Sequence, residues 1–322
     1  MPILEVRDLH VYYYTLRGVV RAVEGVSFAL EKGEVLGIAG ESGCGKSTLA
    51  FSLMNLVPPP GRITKGSIYI EGVDITKMSE AELRRKIRWK KISMVFQAAA
   101  NVLVPVYTVG YQIAEPMIIH QGLSKKEALE RAKELLKMVG LPPSFVNRYP
   151  HELSGGQKQR VVIAMALALN PPILIADEPT TALDVVVQAQ ILNLLKSLKK
   201  RLGMSMILIS HDLSVIAELA DRVAIMYAGQ IVEYGPADKV YREPLHPYTR
   251  ALLAAIPRLH GPKTKLRYIP GNPPDLRNPP PGCRFEPRCS EKRPEIARKC
   301  REEPPPLVEV EPGHYVRCWL YA

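Results

Sequence analysis

The chain has 322 residues, enough for one large or two modest domains, and its 47% apolar and 23% charged content is that of an ordinary globular protein. No stretch approaches the roughly 20 apolar residues that cross a bilayer, and the opening MPILEVRDLH lacks the apolar core of a secretory signal, so the expectation is a soluble, cytosolic chain. The net charge of +11 suits nucleotide phosphates and anionic lipid headgroups as well as nucleic acid, and selects no partner alone.

In chain order, Leu4 to Val11 alternates as a first strand, and Val35 to Ala39 reads as a buried strand entering a Gly-rich loop. The helix LAFSLMNLV follows Lys46-Ser47-Thr48 until Pro58-Pro59-Pro60-Gly61 stops it. Ser67 to Ile70 and Ile92 to Phe96 are predicted strands. Between them LRRKIRWKK (Leu83 to Lys91) reads as the solvated face of a short helix. Ser124 to Val139 has helical periodicity with a capping box at Ser124 and Glu127, and Ser154 to Leu169 is a further helix ending at Asn170-Pro171-Pro172. Strands recur at Ile173 to Ala176, Met206 to Ser210 and Ala224 to Tyr227, with a helix over Val187 to Leu202. Such alternation implies an α/β fold with a largely parallel sheet covered on both faces. Past Pro257 the composition changes: Arg258 to Ala322 holds 13 of the 29 prolines and four of the five cysteines. With so few apolar periods, that segment is expected to be disordered or held by something other than packing.

GESGCGKST fits the P-loop pattern, between a strand and a helix. Gly40, Ser42, Gly43, Cys44 and Gly45 form the loop whose N–H groups turn toward phosphate, and Lys46 supplies a cation at the β/γ-phosphates. Ser47, with Thr48 beside it, would ligate Mg²⁺. Cys44 occupies a variable slot and reads as packing. Asp177 ends an apolar strand, where a carboxylate reaches the second shell of the magnesium. Glu178 follows at once and suits a general base for water, although one of the two acids could instead cap a helix.

The ordered set GESGCGKST, LSGGQKQR (Leu153 to Arg160) and ILIADEPTTALD (Ile173 to Asp184) resembles the ATP-binding subunits of ABC transporters, over about Met1 to Pro236. The resemblance implies a P-loop ABC ATPase core with a mainly parallel sheet, an antiparallel β part, a helical subdomain at about 98–168 and a Pro/Cys-rich extension. It divides the chain into an ATPase domain, 1–240, and an extension, 241–322. It makes Gln97 the glutamine that senses Mg²⁺ and the coupling interface, and His211 the switch histidine at the γ-phosphate. Ser154, Gly155, Gly156 and Gln157 would face ATP held by a second protomer, with Asp184 along the dimer interface. A helix-start serine followed by glycines is a sound anion site in its own right, though a plain capped turn also explains Ser154-Gly155-Gly156. An aromatic that stacks on adenine is expected upstream, where Tyr12, Tyr13 and Tyr14 compete and family spacing favours Tyr13.

RGVVRAVEGVSF, PPPGRITKGSI and HPYTRALLAAIP (His246 to Pro257) look, more narrowly, like oligopeptide and dipeptide importer ATPases. That resemblance implies a motor subunit at the cytoplasmic face of the cell membrane that hydrolyses ATP for peptide import. Its partners would be a second, nonidentical ATPase subunit, two transmembrane permeases and, indirectly, an extracellular solute-binding protein, with no nucleic acid. Oligosaccharide or nickel import and a soluble nucleic-acid-linked ATPase are the rival functions. One departure is FQAAANVLVPV (Phe96 to Val106), where relatives often read FQDPMTSLNPV. Cys283, Cys289, Cys300 and Cys318 are spaced x5, x10 and x17, without the short pairs of a structural zinc site. Four thiolates also suit a [4Fe–4S] cluster, which importers of this type carry in this tail; zinc, disulfides and free thiols stay open.

Overall fold

The structure, a computed structural model, describes residues 1–97, 102–255 and 269–322. The start of the expected helical subdomain, part of FQAAANVLVPV and the composition change at Pro257 lie outside the described residues. Strands are β1 (Leu4–Thr15), β2 (Gly18–Leu30), β3 (Val35–Ala39), β4 (Gly61–Ile70), β5 (Val73–Asp74) and β6 (Ile92–Val95). They continue as β7 (Ile173–Asp177), β8 (Ser205–Ser210), β9 (Arg222–Tyr227), β10 (Gln230–Pro236), β11 (Val308–Glu311) and β12 (His314–Val316). The residues form two compact units, neither continuous in sequence.

One unit comprises Met1–Leu4, Leu30–Val35 and Tyr69–Ile209. Its centre is the parallel set β6, β7 and β8, in register from Ile92↔Ile173 and Ile173↔Ser205 onward. Every residue of these three strands is buried, which explains why they are mostly apolar, with Ser93, Ser205, Ser210 and Asp177 as the buried polar exceptions. Helices Val109–Gln121, Lys125–Met138 and Gly155–Ala166 pack on one another, and the last also packs on β6. The second of these buries Ala128, Ala132 and Leu136, a stripe at four-residue spacing, and starts with the expected Ser124–Glu127 capping box. The cationic run is helical, in a turn over Glu80–Glu82 and a wider one over Leu83–Ile87. Arg84 and Lys86 pair with Glu80 and Glu82 on a solvated face, as the sequence suggests, but Arg88, past the end of the turn, is 7% exposed and turns back to Glu80.

The other unit comprises Glu5–Ala29, Leu36–Ile68 and Ser210–Ala322. In it β1 lies between β2 and β4, while β3 runs parallel to β9 from Leu36↔Arg222 to Ala39↔Ile225. β9 pairs antiparallel with β10, β10 with β12, and β12 with β11. The end of the cysteine-rich segment therefore extends a sheet, so its described part is ordered rather than disordered. Phe285 is 3% exposed and Val316 0%. Buried Arg284 donates to the carbonyl of Ala228 and pairs with Glu24. Glu233, also fully buried, accepts the N–H groups of Leu245 and His246 and faces His314 Nε2, each at 2.8 Å, joining β10, β12 and the turn before helix Pro247–Ala254. Short strands and buried arginines carry little hydrophobic periodicity, so composition hid this packing. Among the described residues no helix is long and apolar enough to cross a membrane.

Candidate functional site

The P-loop joins β3 to helix Lys46–Leu53, whose cap is Gly45. Only glycine fits at its two bends. Gly40 takes φ 154° and a Cβ there would lie 2.1 Å from the carbonyl oxygen of Met226; Gly45 takes φ 104° and a Cβ would meet that of Ala22 at 2.1 Å. Lys46 is 5% exposed, and its Nζ donates to the carbonyls of Gly40 at 2.7 Å and Glu41 at 3.0 Å. A cation held across the loop by carbonyls, beside a helix N-terminus, is an arrangement for phosphate. Cys44 is buried, and burial raises its thiol pKa, in keeping with packing. Tyr13 is the tyrosine brought to this helix, with its hydroxyl 3.4 Å from Thr48 Oγ1. Tyr14 lies under Arg62 and Tyr12 turns to His10. His211 follows β8 in the same unit as the P-loop and is exposed. The hydroxyl of Tyr248, in the HPY segment, accepts the N–H of Glu41 at 2.9 Å, a contact with no signal in the sequence beyond the segment's presence.

Gln97, Asp177, Glu178, Ser154 to Gln157 and Asp184 belong to the other unit. Asp177 is 2% exposed at the end of β7. Glu178 leaves the strand at φ 46°, a region rarely used by residues with a side chain. Its Oε2 accepts from Gln97 Nε2 and Thr181 Oγ1, both at 2.9 Å, so the sequence-predicted Gln97 and Glu178 meet and Thr181, which sequence reasoning missed, joins them. Ser154 caps helix Gly155–Ala166 in a capping box with Gln157, and both Ser154 and Gly155 are exposed. Asp184 caps helix Val185–Leu202 through Val187 N at 2.9 Å. The apolar residues that follow, Val185 and Val186, are 80% and 67% exposed.

All five cysteines are free, which sets aside the disulfide reading. Cys283, Cys289, Cys300 and Cys318 line one largely apolar cavity with His246, Phe285 and Trp319. Burial, with repulsion among the thiols, pushes Cys283 up to about 12 and Cys318 up to about 11. Among the described residues, however, no three His, Cys, Asp or Glu side chains could hold a metal ion. The four expected ligands thus share one space without forming a metal site, for zinc or for a cluster.

Residues 23–181 match the family described as ABC transporter, and residues 232–295 match the oligopeptide/dipeptide transporter C-terminal region. Over 323 aligned residues the chain is 51% identical to the oligopeptide transport ATP-binding protein OppD of Bacillus subtilis, covering 99% of this chain and 88% of that protein. The chain belongs to the ABC transporter family, among the oligopeptide/dipeptide ATP-binding subunits. It is also 47% identical to the dipeptide transport ATP-binding protein DppD of the same organism, over 99% of this chain and 94% of the relative. Among solved structures, the dimeric ATP-binding cassette MJ0796 in a post-hydrolysis state bound to ADP and Pi is similar with a TM-score of 0.66 and 34% identity, covering 73% of this chain and 98% of that one. As a member of this family the chain is an ATPase coupled to transport.

Proposed function

We propose that this subunit powers peptide import from the cytoplasmic face of the membrane, as one of two ATPases working with two permeases. The supporting observation is the likeness to peptide-transport subunits along nearly the whole chain, extension included. In this reading the domain boundary falls near residue 240, and the extension carries the trait that separates these subunits from other cassettes. The P-loop with Lys46 holds the phosphates and Tyr13 the adenine. Ser47 and Gln97 would hold Mg²⁺, which neutralises phosphate charge, with Asp177 reaching its second shell. Glu178, oriented by Gln97 and Thr181, takes the proton of the attacking water, and His211 contacts the γ-phosphate. Exposed Ser154 and Gly155 present a capped helix start to ATP on a second, nonidentical protomer, and Val185 and Val186 are apolar surface for that partner to cover.

In this reading the four cysteines that share one apolar space would, once deprotonated, hold an iron–sulfur cluster, which takes four thiolates. The cluster would staple the extension. Anaerobically purified protein should carry iron, acid-labile sulfide and visible absorbance; a colourless sample with stoichiometric zinc refutes that assignment. For the import reading, the chain is reconstituted with its co-purifying permeases and binding protein in vesicles. Peptide-loaded binding protein should stimulate ATP hydrolysis, and stimulation by nickel or an oligosaccharide but not by peptide overturns it.

A further inference from the structure

Arg288 lies outside every nucleotide motif, one residue before Cys289, yet it grips the P-loop. Its Nη1 donates to Glu41 Oε2 at 2.6 Å and its Nη2 to Glu41 Oε1 at 3.0 Å. The remaining donors reach Tyr227 Oη at 3.3 Å, the Pro270 carbonyl at 2.8 Å and the Ile269 carbonyl at 3.4 Å. These five contacts match the five N–H groups of a guanidinium, on a side chain only 5% exposed. A parallel two-bond pair of this kind fixes direction as well as distance.

Glu41, the residue after Gly40, is held from two further sides. Its N–H is taken by Tyr248 Oη at 2.9 Å, so it is not offered to phosphate, and its carbonyl is the second acceptor for Lys46 Nζ. Tyr248 is itself fully buried, with its ring 4.6 Å from Tyr227 and 5.4 Å from Phe285. Glu41 is therefore an anchor of the loop's entry. Both of its outside anchors, Arg288 and Tyr248, come from the C-terminal part of the chain.

We propose that Arg288 is a positioning residue for ATP: through Glu41 it holds the entry of the P-loop in phosphate-binding shape and makes the extension part of the nucleotide site. The inference rests on ATP binding alone, and stands whatever the thiols hold and whatever cargo is carried. Its test is the affinity of the purified full chain for ATP, ADP and adenosine, with the thermal midpoint as the check on folding. Arg288→Ala should weaken ATP and ADP by about tenfold, the scale of one charge-assisted pair, and leave adenosine unchanged. Tyr248→Phe should weaken ATP by about threefold, the loss of one neutral hydrogen bond. Arg288→Ala combined with Glu41→Ala should be no weaker than the weaker single variant, because both break one link. Arg277→Ala, which breaks the exposed Arg277–Asp275 pair in the same extension, should change nothing. Unchanged ATP affinity in folded Arg288→Ala, additive losses in the double variant, or equal loss for adenosine overturns the proposal. If Arg288→Ala does not fold, Tyr248→Phe, which removes one oxygen, decides it by the same comparison.

Discussion

Glu178→Gln separates chemistry from architecture at this site. The carboxylate's Oε2 accepts two hydrogen bonds, from Gln97 and Thr181. A glutamine amide oxygen can accept both, and the side chain keeps its length, so the loop after β7 should stay as it is. The variant loses the carboxylate's charge and with it its basicity. General-base catalysis contributes about 10² to 10⁴ in rate, which at 1.36 kcal/mol per tenfold is about 3–5 kcal/mol on the barrier. In the assembled transporter, single-turnover phosphate release should fall by that factor, while ATP affinity stays within about twofold because the P-loop is untouched. ATP-bound dimer should accumulate. Glu178→Ala should lose the same turnover and also lower the unfolding midpoint, because Gln97 and Thr181 lose their shared acceptor. Phosphate release within tenfold of wild type in Glu178→Gln would refute the base assignment.

Lys46→Ala removes the cation that spans the loop, and ATP affinity measured by titration should drop by at least about tenfold with little loss of stability, since Lys46 bonds only to carbonyls and a thiol that water can serve. Glu233→Gln places an amide NH₂ against at least one buried N–H donor in either orientation, and should lower stability in urea unfolding by about 2–4 kcal/mol. His246 gives a pH dependence. Burial holds its pKa down to about 4, with Arg250 acting the same way and Glu233 opposing, and its Nδ1 must stay unprotonated to accept Tyr248 N. The unfolded chain therefore binds the extra proton first as pH falls below about 6.5, and going from pH 7 to pH 5 should cost about 2 kcal/mol from this group. His246→Asn, which can still cap the helix, should flatten that part of the urea-unfolding pH profile; an unchanged slope would remove His246 as its source.

Local chemistry was enough to read the P-loop, the acidic pair and most of the α/β core, while the other nucleotide motifs came from the family resemblance. The fully buried parallel strands are mostly apolar, and some helix starts are written in their caps, as at Ser124 and Ser154. β3 falls on the expected residues because nothing but a buried strand suits Val35–Ala39 before a P-loop. Other ends moved. The first helix stops at Leu53, well before the prolines, and β1 runs on to Thr15, since pairing and capping set the ends of elements more than composition does. Tyr13 could be favoured over its neighbours by spacing, but its approach to Thr48 depends on how strand and helix pack. The meeting of Gln97 with Glu178 joins residues 81 positions apart. The extension was least legible. Its order comes from buried arginines, from Glu233 shared by three donors and from strands only a few residues long. Such polar contacts are long-range and without period, so sequence alone determined the ATPase family, and tertiary structure decided that the tail with Arg288 reaches the P-loop.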